Sequence, residues 1–283
     1  MSDDNPNWIL RARVALADAL DEAAQRFADK GKSVEGVHDA RKALKRARAL
    51  TRLFEDSLEA QAAEARSVVN AARRALGRTR DLDVMPDTAR TLHASEATRE
   101  ALLFAITRER KRGASDAADE IDHAKALAAL ADKVRSWPIH PGDDERALRH
   151  MRETYRKARR LGRAAFPHND GPALHRVRSL IVDLGQQFDA LAPPSPTRDA
   201  DLRKLRQALG VHHDLTVLAA FALERRELLI GEKTEIREAI ERQQRSLTRR
   251  ARRRFSRAFG EPPQRFLRRL KRDLSSETSE AAE

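Results

Sequence analysis

Cysteine is absent, which excludes disulfide staples and thiolate metal sites and suits a reducing compartment. Aromatic residues make up only 4%, with one Tyr and 2 Trp, so platforms for stacking nucleic-acid bases are scarce. Gly and Pro number 11 each in 283 residues, too few to punctuate a chain of many short strands. Strictly alternating β-branched runs are missing too. No apolar run approaches the roughly 20 residues a membrane span needs. The opening MSDDNPNWIL is acidic where a secretory signal would be basic. These absences leave a cytoplasmic, helical protein as the expectation.

Strong helix formers, Ala, Leu, Arg and Glu, fill the long stretches between the breakers. Asn5-Pro6 opens a helix to about Lys30, and Ser33 opens a second to about Leu58. Helices are expected over 61–76, over 80–93 despite Pro86, and from Ser95 to about Ser136 with a break near Gly113. Trp137 to Gly142 reads as a linker. Beyond it, helices are expected from Asp143 to near Pro167, up to Leu191, over 198–209, 212–230 and 232–259, and again after Pro262-Pro263. The acidic tail 275–283 reads as disordered.

The two halves repeat one another. His38 and Arg41 stand three apart, as do His175 and Arg178, each pair within apolar residues at matching offsets. Arg73-Arg74-Ala75-Leu76-Gly77, followed by Asp81-Leu82-Asp83-Val84, aligns with Arg206-Gln207-Ala208-Leu209-Gly210, followed by Asp214-Leu215-Thr216-Val217. Such signatures point to a duplicated supersecondary unit, with repeats of about 1–136 and 143–274. The expected architecture is all-α: two four-helix bundles of long antiparallel helices related by a pseudo-twofold.

Charge is the other strong feature. Lys and Arg total 56 against 44 acids, a formal net charge of +12, which concerns partners rather than fold. At about 100° per residue, His38, Arg41, Lys45, Arg48 and Arg52 share one sector of their helix, about 80° wide. Arg149, Arg152, Arg156, Arg159 and Arg163 form a similar stripe. Solvated helix faces ordinarily mix signs, because like charges repel by a few tenths of a kcal/mol per pair. Two stripes read as free of acids, with Glu153 off to one side, point to a polyanionic ligand. A third basic block, Arg245 to Arg257, winds around its helix and divides evenly between binding surface and solvated face.

The series His38-x-x-Arg41-x-x-x-Lys45-x-x-Arg48, Arg78-Thr79-Arg80-Asp81-Leu82-Asp83-Val84, Tyr155-Arg156-x-x-Arg159, Leu174-His175-x-x-Arg178 and Leu209-Gly210-x-x-His213-Asp214 resembles the conserved-histidine α-helical domain (CHAD) family over most of the chain. The resemblance implies one domain over 1–274 built of two bundles around a basic central groove or pore. It implies binding of inorganic polyphosphate and, for some members, association with polyphosphate granules. The residues it assigns to the anion are His38, Arg41, Lys45 and Arg48, then Arg156, Arg159, His175 and Arg178. Arg52, Arg80, Arg152 and Arg163 complete the candidate set. Val182 and Gly185 depart from the pattern, standing where further cations are common. No Glu-x-Glu-x-Lys signature of the triphosphate tunnel enzymes occurs, so a stand-alone binder is expected.

Catalysis and cofactors are not expected. Phosphoanhydride hydrolysis needs a Gly-rich phosphate loop or a carboxylate cluster for metal, and neither is visible. His212 and His213 are adjacent and point to different sides of a helix, so metal binding with His175 and His38 is disfavoured; His213 and Asp214 read as a helix start. The competing reading is a sequence-indifferent nucleic-acid binder, since Lys and Arg neutralise those phosphates equally well.

Overall fold

Ile9, Ala12, Leu16, Ala19, Leu20, Ala23 and Phe27 recur at three- and four-residue intervals, and all are buried along one side of the first helix. The same logic repeats through the chain. A computed structural model describes residues 8–28, 34–112, 118–191 and 196–280. Among these, every regular element is helical: α1 (Trp8–Ala28), α2 (Val34–Thr51), α3 (Glu59–Ala75), α4 (Gly77–Arg90), α5 (Glu96–Arg112), α6 (Ala118–Arg135), α7 (Asp143–His168), α8 (Gly171–Leu191), α9 (Pro196–Glu224), α10 (Ile230–Ala258) and α11 (Pro263–Glu280). A short 3₁₀ turn, Arg52–Phe54, continues α2.

Helix α1 packs on α2 and α6, and α3 closes that group; α7 packs on α8, and α9 on α8 and α10. The two groups meet where α2 crosses α8, and one continuous apolar core runs through both. Small residues of α2, Ala47 and Ala49, are buried near this crossing. Gln187 Nε2 donates to the Ala49 carbonyl at 2.9 Å, a polar tie in an otherwise apolar contact. Contacts across the groups are reciprocal: α1 meets α8, while the 3₁₀ end of α2 meets α7.

A second, smaller core lies apart, built from α4, α5, the C-terminal half of α9 and the N-terminal half of α10. Met85, Leu92 and Ile106 of the first half of the chain thereby pack with Leu215, Leu218 and Ile240 of the second.

Some boundaries differ from the sequence expectation. Residues 198–230 were read as two helices, yet α9 runs unbroken through Gly210, so His213 and Asp214 lie mid-helix rather than at a helix start. The Cβ of an added side chain at Gly210 would face only Arg178, at 3.8 Å; this glycine gives room and does not break the helix. In the first half the matching position, Gly77, does divide α3 from α4. The stretch 275–280, read as part of a disordered tail, continues α11. The expected break near Gly113 falls outside the described residues, as does the segment 281–283.

Linker residues 136–142 are tied down on both sides. Trp137 packs edge-on against Phe54, 5.2 Å between ring centres, and its carbonyl accepts from Arg13 Nη1 at 2.6 Å. Gly142 adopts φ 87°, a left-handed conformation only glycine takes cheaply, just before α7 begins.

Candidate polyanion-binding site

The stripe on α2 is brought face to face with α8, and what lies between them is a cluster of guanidinium groups around one carboxylate. Asp183 of α8 is 1% exposed. Arg48 Nη2 donates to its Oδ1 at 2.6 Å, and Arg52 Nη1 stands 3.4 Å from Oδ2. The stripe on α2 contains no acid of its own, but its standing repulsion is relieved by an acid from the neighbouring helix. Part of the repulsion read as pointing to a polyanionic ligand is therefore met within the protein. The relief is partial. The buried Nε–H groups of Arg48 and Arg52 have no hydrogen-bond partner among the described residues, so donor capacity is left over.

Arg73 of α3 completes the cluster. Its pKa is pushed down to about 10, first by burial, then by Arg48 and Arg41, with Asp183 opposing and Arg52 adding to the depression. A guanidinium normally stays protonated at any working pH.

Arg41 has a structural task as well: Nη1 donates to the Leu76 carbonyl at the end of α3, 2.7 Å away. Its counterpart in the second half, Arg178, lies over Gly210, the position matching Gly77. The matching arginines thus lie against adjoining positions of the repeated motif, Leu76 in one half and Gly210 in the other.

At Gly185 the second half lacks the cation found at Arg48, and the structure supplies another. A Cβ on Gly185 would lie 2.5 Å from Arg206 Nη1, so the guanidinium of Arg206, from α9, occupies the space a side chain would have filled. Arg206 also stands 4.0 Å from Asp189. Arg73 and Arg206 are site residues that the sequence reading passed over. They are the matching first residues of the repeated Arg-x-Ala-Leu-Gly motif, so the signal was present.

His175 lies beside Arg178 on the same face, and its ring stacks at a tilt on His213 of α9, 4.3 Å between centres. Burial depresses the His175 pKa, and the positive charges of Arg178 and Arg48 depress it further. His38 sits exposed near the start of α2. Lys45 is half-buried on the same helix. Arg80 belongs to α4 by its backbone, but its side chain lies outside the described residues.

The stripe on α7 is built differently, and the reading of it as free of acids does not hold. Glu153 pairs with both of its neighbours, 3.0 Å from Arg152 and 2.5 Å from Arg156. Arg159 turns toward the end of α10, where Nε donates to the Phe259 carbonyl at 3.0 Å and Nη2 to the Gly260 carbonyl at 3.4 Å. Arg163 is exposed on the same side. No described contact joins these four arginines to the cluster between α2 and α8.

Among the described residues, no group of three or more His, Asp or Glu side chains is placed to hold a metal ion. His212 is buried against the second core's side of α9, and burial depresses its pKa. None of the described helices is long and apolar enough to cross a membrane.

Fold and site together define an all-helical protein with a cluster of arginines where two helix groups meet. The CHAD domain family model matches residues 12–223, three-quarters of the chain, and the chain belongs to that family. A solved structure, PptA from Streptomyces chartreusis, has a similar fold: TM-score 0.62 and 19% sequence identity, covering 89% of this chain and 98% of that one. No curated protein sequence matches significantly.

Proposed function

We propose that this protein binds inorganic polyphosphate in the cleft between α2 and α8, holding the polymer without transforming it, in the cytoplasm and at polyphosphate granules. The observation that supports this most directly is the pairing of Arg48 and Arg52 with the buried carboxylate of Asp183, with Arg41 and Arg73 close by; burial first, and then Arg48 and Arg41, push the Arg73 pKa down to about 10. Cations gathered at a stability cost are what a polyanion site requires. Each phosphate oxygen that enters relieves repulsion and accepts a charge-assisted hydrogen bond. Arg178, Arg206, His175 and Lys45 extend the same surface along both helices, fitting an extended ligand better than a compact one. Family membership supports the ligand class, and the shortage of aromatic residues argues against a nucleic-acid platform.

Arg73 gives the cleanest test. Replacing Arg41 or Arg48 would uncap α3 or leave Asp183 buried without its close partner, a loss of about 3–5 kcal/mol for breaking such a pair. Arg73 forms only a weak local hydrogen bond, to Asn70 at 3.4 Å. Arg73→Gln is therefore expected to leave the melting temperature unchanged or raise it, while polyphosphate affinity falls about tenfold, roughly the worth of one charged hydrogen bond. Unchanged affinity with lowered stability would mean that the cluster is scaffolding and the ligand binds elsewhere.

A further inference from the structure

A second basic groove lies on the far side of α9. Arg206, Gly210 and His213 point toward α8, as their contacts show. At about 100° per residue, Lys204, Gln207, Ala208 and Val211 fall on the opposite side of the same helix. There they face α10, whose Arg250, Arg253, Arg254 and Arg257 are spaced i, i+3, i+4 and i+7 and so share one side. Between the two antiparallel helices runs an open groove of about 790 Å³, rimmed by Lys204 and these four arginines, with Leu247, Ala208 and Val211 as a thin aliphatic floor.

The charge balance here is more one-sided than in the cleft. Among the described residues, no carboxylate lines the groove. Asp201 pairs with Arg254 at 3.3 Å, and the Arg250 guanidinium donates to Ser246 Oγ at 3.3 Å. Among the described residues, no ion pair joins Lys204, Arg253 or Arg257 to an acid. Elsewhere on α10 the ordinary arrangement holds: Glu238 pairs with Arg242, and Glu241 with Arg245, each at i,i+4. The acids stop where the groove begins. The family match ends at residue 223, so the arginines of α10 are a feature of this chain beyond the matched region.

We propose that this groove is a second, independent site for a linear phosphate polymer, so that one molecule grips two segments of polyphosphate on opposite sides of α9. The inference rests on the proposed function of the cleft and extends it. Arg250 to Arg257 spans about 10 Å along the helix at 1.5 Å per residue, enough to meet several successive phosphates. No aromatic side chain lines the groove, which favours an unbranched phosphate chain over nucleic acid. Two sites on one body make the second contact intramolecular once the polymer can reach both, and affinity for long chains then rises steeply above that for short ones.

The test is calorimetric stoichiometry with a short polyphosphate that cannot span both sites, followed by affinity for a long one. Wild type should bind two short chains per protein. Arg250→Ser with Arg253→Ser and Arg257→Ser should bind one and lose roughly 100-fold in affinity for the long polymer, the lower end of the avidity gain from linking two sites. The same three changed to Lys should restore both, since phosphate contacts here need charge more than bidentate geometry. Arg73→Gln should weaken only the other site. One short chain per wild-type protein, unaffected by the serine variant but weakened by Arg73→Gln, would overturn the second site and leave the cleft standing. Loss of single-stranded DNA binding in the serine variant, with polyphosphate stoichiometry intact, would also overturn it. Absence of any polyphosphate binding by wild type would remove the reading on which both rest.

Discussion

His175 carries the most informative titration in the molecule. Burial lowers its pKa, and so do Arg178 on its own helix and Arg48 across the cleft; its remaining ring neighbour is His213 of α9. In the free protein it is therefore neutral below the ordinary value near 6.5, and a bound phosphate chain would favour its proton. Binding then takes up protons, and affinity rises as pH falls from the pKa of the complex to that of the free protein. Calorimetry in two buffers of different ionisation enthalpy at mildly acid pH should show proton uptake in wild type and clearly less in His175→Gln. Equal uptake in both would assign His175 a structural role. His38, the matching residue of the first half, is exposed as well. The motif shows which histidines correspond; that His175 lies against a second imidazole, His213, depended on α9.

Among the helices, the one-dimensional pattern was a good guide to existence and a poorer one to partnership. Helical spacing placed nearly every element, and Pro86 inside α4 was tolerated as expected. The stripes on α2 and α7 looked alike in sequence and came to different ends, because a stripe's meaning depends on what packs against it. Asp183, 131 positions beyond Arg52 in sequence, could not be assigned to the α2 stripe before the α2–α8 crossing was known. The α7 stripe meets the C-terminal end of α10 instead. Arg159 satisfies the Phe259 and Gly260 carbonyls there, groups that a helix C-terminus leaves without partners. Arg159→Ala is expected to destabilise the fold by about 1–3 kcal/mol, the worth of charged hydrogen bonds, while polyphosphate affinity stays within about twofold. Denaturant unfolding and a binding isotherm on the same variant check both. A large loss of affinity with unchanged stability would return Arg159 to the ligand.

For the whole molecule the relevant quantity is the arrangement of a net charge of +12 rather than its size. Composition made a polyanionic partner legible at once, yet it could not separate a phosphate polymer from nucleic acid, because long-range attraction is the same for both. The separation comes from what surrounds the charge. Arginines stand together where α2 meets α8 and in a groove between α9 and α10, and among the described residues no aromatic ring lines that groove. The direct test of this account is a comparison of long-chain polyphosphate with duplex DNA of matched charge, measuring affinity against salt concentration. Each phosphate neutralised should contribute close to one unit of slope, by analogy with DNA. The account predicts tighter binding of polyphosphate at every salt concentration, with a steeper slope that flattens by about one unit in Arg73→Gln. Tighter binding of duplex DNA, or a preference for one base sequence, would contradict it.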